Sequence, residues 1–122
     1  MTSHPTADEL LQAVSGFIER IAPTLDDRDV FLARVAVNAL SVVRREMTAR
    51  PKVEAAAAAR LQELLHIGGD FAVLNGALCD AIRSGLFDQD EGELLSHLRA
   101  LAIDQVGIDQ PTYSGLKTAL LA

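Results

Sequence analysis

The chain has 122 residues, the size of one domain, and is 49% apolar but only 4% aromatic, with a net charge of −6. That charge sets the chain's own field against phosphate and excludes a general nucleic-acid binder. The longest apolar run, the alanine tract at 55–59, is far short of the roughly 20 residues a membrane span needs.

With 19 Ala and 18 Leu, the best helix formers, the composition reads as all-α. The lone Cys79 can form no internal disulfide, which fits a reducing compartment. The first ten residues have neither a basic region nor an apolar one, so they do not read as a secretory signal. Cytoplasmic localisation is the expectation, with residues 1–5 flexible. Residues 1–60 hold eight acids and eight bases, whereas 61–122 hold nine acids and three bases. The acidic second half suits a solvated surface that keeps an Ala/Leu-rich bundle in solution.

In chain order, Thr6 and Glu9 have the spacing of a capping box. Leu10, Leu11, Val14, Phe17, Ile18 and Ile21 then form the stripe of a first helix that Pro23 ends. Asp26 or Asp27 caps the next helix, whose apolar residues between 30 and 47 cover about half of its circumference. So wide an arc predicts the central helix of a bundle, packed by two or three neighbours. Arg50-Pro51 predicts its end, because the residue before proline is pushed out of the α region. A third helix through the alanine tract to Ile67 should pack tightly on the central one and stop at Gly68-Gly69.

Phe71, Leu74, Leu78 and Ile82 define a fourth helix in which Gly76 suggests a close helix crossing. The acidic run at 88–91 opens a fifth, with Leu94, Leu95, Leu98 and Leu101 on its stripe and Gly107 at its end. A last apolar turn follows at 116–121. The expected architecture is a single 1–122 domain: a five-helix, mainly antiparallel bundle with a short C-terminal helical turn.

The motifs that carry chemistry are sparse. Glu63 and His66 have the Glu-x-x-His spacing of di-iron bundles. Such a site needs a second pair and two further glutamates. Neither His4 nor His97 has a glutamate three residues before it, so no metal site is expected. Cys79 lies beside the apolar stripe of the fourth helix and reads as a buried structural thiol. There is no nucleophile elbow, phosphate loop or dinucleotide fingerprint, hence no catalytic residue and no cofactor.

Arg44, Arg45, Arg50 and Lys52 gather where one helix should end and the next begin. They can hold a phosphate or carboxylate, although cations at a helix C-terminus also complement its dipole. Asp109, Gln110, Pro111, Thr112, Tyr113 and Ser114 form a polar segment that can contact a partner or ligand, or simply dock as a tail.

The stretches Leu74-Asn-Gly-Ala-Leu-Cys-Asp-Ala-Ile-Arg-Ser-Gly85 and Ile108-Asp-Gln-Pro-Thr-Tyr-Ser-Gly115, with His4-Pro-Thr-Ala-Asp-Glu-Leu-Leu11, resemble an uncharacterised bacterial all-helical family. Its members are fused to, or encoded beside, aminoglycoside-phosphotransferase-like kinases and acyl-CoA dehydrogenases. The resemblance implies a non-catalytic accessory or interaction module partnering such a kinase or dehydrogenase. The alternative is a small anionic-ligand (acyl-CoA or phosphate) binder or enzyme using the basic cluster and the Tyr113 segment. A mean hydropathy of +0.19 is high for so small a domain and predicts a homodimer through exposed apolar rows. The alanine tract and the Leu94/Leu95/Leu98/Leu101 row are the expected surfaces.

Overall fold

The computed structural model describes residues 4–121, so part of the N-terminal segment expected to be flexible, residues 1–3, lies outside the described residues. Among these there are five α-helices and no strand: α1 (Ala7–Ile21), α2 (Asp27–Leu65), α3 (Phe71–Arg83), α4 (Gly92–Asp109) and α5 (Ser114–Leu121). The chain is all-α.

Local chemistry accounts for most of the boundaries. The Glu9 amide donates to the Thr6 hydroxyl oxygen at 3.1 Å and the Thr6 amide donates to the Glu9 carboxylate at 3.3 Å, completing the capping box of α1. A 3₁₀ turn, Ala22–Thr24, carries Pro23 at its start and ends the run. Asp26 accepts from the Asp29 amide at 2.8 Å and Asp70 from the Val73 amide at 3.0 Å, each satisfying an early amide of α2 or α3.

Four sequence expectations fail here. Arg50-Pro51 does not end a helix; α2 runs unbroken for 39 residues with Pro51 inside it, fusing the expected second and third helices. An interior proline costs about 3 kcal/mol. The turns that follow include the fully buried Ala57 and Leu61, and core burial of that kind offsets the loss. Helix α4 likewise passes through Gly107 to Asp109. The glycine costs about 1 kcal/mol, but the next residue, Ile108, is only 2% exposed, and burying it contributes about 1.5–3 kcal/mol. Gly76 marks no close crossing, because a Cβ built there meets nothing within 4 Å. At the other end of α2, His66 takes the left-handed conformation (φ 58°), so the helix stops at Leu65, short of the Gly68-Gly69 pair.

The chain forms two compact units, Met1–Met47 and Thr48–Ala122, and α2 contributes to both. In the first unit, α1 and the first part of α2 make an antiparallel hairpin: Asp8 sits by Arg44, while Ile18 and Ala22 lie beside Ala33 and Val37. Among the described residues, Ala33 is the buried one in this unit.

In the second unit the core is Leu61, Leu74, Leu78 and Leu94, wrapped by Ala58, Leu64, Leu65, Phe71 and Phe87. Helix α4 runs antiparallel to the later part of α2, with Gln105 at Arg50 and His97 at Arg60. Helix α5 folds back on α4, where Arg99 donates to the Ala119 carbonyl at 2.7 Å.

The segment 30–47 is therefore not the buried centre of the molecule. Phe31 is 64% exposed and Leu32, Val35, Val43 and Met47 are exposed too. A wide apolar arc shows that a helix has surface to cover; it does not say that the same chain covers it.

Candidate functional site

The basic cluster is not gathered at a helix junction, because no junction exists there. Arg44 belongs to the first unit, where its Nε donates to the Asp8 carboxylate at 2.7 Å. The Arg44 guanidinium, followed by a hydrogen bond from Gln12, holds the Asp8 carboxyl below its usual range. Arg50 belongs to the second unit and donates to Gln105 Oε1 at 2.7 Å, and Gln105 in turn donates to Asp109 at 2.9 Å. Arg45 is half-buried on α2 and Lys52 is exposed.

The Asp109–Ser114 segment forms the α4–α5 turn. The Tyr113 amide donates to the Gln110 carbonyl at 3.0 Å, and the Leu116 amide donates to the Tyr113 carbonyl at 3.1 Å. The Tyr113 ring lies directly on Gly115, where a side chain would overlap it. This gives the Pro-Thr-Tyr-Ser-Gly element a local structural reason. Tyr113 lines a shallow cavity of about 210 Å³ with Arg99, Ile103, Val106 and Leu116. Arg50 thus reaches the start of the segment through Gln105, while Tyr113 faces other residues.

Glu63 and His66 share no helix face, since α2 ends between them. Among the described residues no three His, Cys, Asp or Glu side chains gather as metal ligands. Cys79 is exposed rather than buried. It is about 100° round the helix from Leu78, past the edge of the buried face.

The polar group most removed from water was not flagged by sequence. His97 is 2% exposed, and its Nδ1 accepts from Arg60 Nε at 3.1 Å. Burial first, and the Arg60 charge second, hold the imidazole pKa below its ordinary value of 6.5. The neutral ring therefore carries its proton on Nε2. That atom and Arg60 Nη2 are buried with no partner among the described residues. Both residues line an open cleft of about 540 Å³ bordered by the acids Glu63, Asp90 and Glu93. The overlooked signal is positional: His97 falls within the Leu94/Leu98/Leu101 row, and a histidine inside an apolar row must be satisfied in place. Its spacing from Glu93 suggests an ordinary surface pair instead.

An exposed apolar surface lies on the α1–α2 hairpin. Helical geometry with the antiparallel register sets Leu10, Val14 and Phe17 on the same side as Leu32, Val43 and Met47. All six are between 44% and 54% exposed. The opposite side carries Glu19, Arg34, Asn38 and Ser41 around a cavity of about 360 Å³. The hairpin is amphipathic as a unit, with its apolar side turned outward.

A family model described as a domain of unknown function, DUF6285, matches residues 23–113, which spans α2, α3, α4 and the turn to Tyr113. The chain belongs to this family. No curated protein and no solved structure matches it. Among the described residues no helix of the family member is long and apolar enough to cross a membrane.

Proposed function

We propose that the chain is a non-catalytic, cytoplasmic helical module that acts through protein contact, assembling as a homodimer and serving as accessory to an enzyme. One observation carries the reading: the outward apolar side of the α1–α2 hairpin, in a unit whose one buried residue among those described is an alanine. Two helices of this length cannot hold one another in water on so small a core. An exposed contiguous apolar patch of this kind marks an interaction surface. The resemblance of the sequence supplies the partner classes, a phosphotransferase-like kinase or an acyl-CoA dehydrogenase. Sedimentation equilibrium of wild type and Leu32→Glu is the test. A wild-type mass above the 13.1 kDa chain that falls to 13.1 kDa in the variant supports the module. A 13.1 kDa species for both overturns it.

A second reading, small-ligand binding, is favoured by the two unpartnered donors on Arg60 and His97. It shifts the site away from Arg44, Arg45, Arg50 and Lys52. The surrounding Glu63, Asp90 and Glu93 oppose a phosphate, so a neutral acceptor such as an amide suits the cleft better than acyl-CoA. A thermal shift with a simple amide, abolished by Arg60→Gln, would favour this reading, and no shift across CoA, acyl-CoA, phosphate and amides would remove it.

A further inference from the structure

We infer that the outward side of the α1–α2 hairpin is the interface of a two-fold homodimer whose axis lies between the two facing layers, perpendicular to α2 and level with Val37, so that Arg28 of each copy meets the partner's Glu46. The inference rests on the interaction-module reading and gives it a geometry.

The first argument is completion of a core. A two-helix layer with one apolar side becomes a four-helix bundle when a second such layer covers it. The small Ala36 and Ala39 lie on this side between Leu32 and Val43, which lets the two layers approach closely. At 1.5 Å per residue, α1 gives a footprint roughly 22 Å long, and two helices 8–10 Å apart make it about 20 Å wide. Face-to-face pairing therefore covers on the order of 1,000 Å² in total, the floor for a biological interface.

Charge then selects the axis. Arg28 and Glu46 are both exposed on α2, five helical turns apart, which sets them at the same angle on the rim of the apolar side. A two-fold axis midway between them, across the helices, brings each arginine onto the other copy's glutamate. An axis parallel to the helices instead brings Glu46 toward the end of α1 that holds Asp8 and Glu9, because Asp8 is level with Arg44. It also carries Arg28 toward Arg20. At the rim, Arg28 and Glu46 meet as unlike charges under the first axis and like charges meet under the second, and a second copy is the occupant for which this rim is self-complementary.

The test uses the full chain with Arg28→Glu and Glu46→Arg, each checked by circular dichroism for unchanged helix content. Each variant alone leaves like charges facing across the axis and should weaken the dimer about tenfold. An equimolar mixture should regain close to wild-type affinity, since a heterodimer restores opposite charges at both pairs. Two variants that dimerise like wild type, or a mixture no tighter than either alone, would overturn this axis. If Leu32→Glu still abolishes a wild-type dimer in that case, the interaction surface stands and only its register falls. A monomeric wild type removes both.

Discussion

Arg60 on α2 donates its Nε–H to Nδ1 of His97 on α4 across 3.1 Å, tying together the two helices that frame the leucine core of the second unit. The contact needs a neutral imidazole. Because the folded state holds His97 below its ordinary 6.5, the unfolded chain takes up a proton that the folded chain refuses. Stability should be full above about pH 6.5 and decline as pH falls from there through the folded value. A series of melting temperatures should show that decline, and His97→Gln should flatten it. An unchanged slope in the variant would detach His97 from the pH response.

Pro51 removes one helical hydrogen bond, the one its amide would donate to the Met47 carbonyl. Pro51→Ala should therefore stabilise the protein, by about 1–3 kcal/mol in chemical denaturation. A loss of stability would show that the proline is needed for the path of α2.

Gly76 and Gly107 both lie inside helices with open space where a Cβ would go. Alanine at either position should add about 0.5–1 kcal/mol each, and the two gains should sum. Destabilisation at Gly76 would reinstate the close crossing its sequence suggests.

Leu61 is fully buried at the centre of the second unit, and Leu61→Ala should cost about 2–5 kcal/mol. Leu10 is 54% exposed, and at concentrations where the chain is dissociated Leu10→Ala should cost well under 1 kcal/mol. The two costs converge only if Leu10 is covered, which denaturation at low and high protein concentration separates.

The local grammar of the fold was legible. Thr6 with Glu9, Asp26 and Pro23 act through neighbours a few residues away, and they do in the structure what their spacing implies. Expectations that depend on tertiary burial were not legible. Pro51 and Gly107 each stop a helix by local propensity, but burial of Leu61 and Ile108 further along outweighs them.

The same limit applied to the candidate site. Arg44 and Arg50 look like one cluster in sequence, yet each is engaged within a different unit. His97 gave too little signal against its Glu93 neighbour. The alanine tract proved partly interior, with Ala57 at 0% exposure, and Leu94 is buried at 7%. Leu95 at 54% and Leu98 at 40% are exposed as expected, and the first hairpin, where the residues expected to be most buried are found, adds a further exposed apolar surface.

The claim that another protein surface covers that hairpin is tested most directly by carbene footprinting across a dilution series. Phe17, Leu32 and Met47 should be protected at high concentration and become labelled on dilution. Leu121, 81% exposed, and Phe31, which points away from the proposed interface, should be labelled throughout. Labelling of Phe17, Leu32 and Met47 as fast as Leu121 at every concentration would contradict the account.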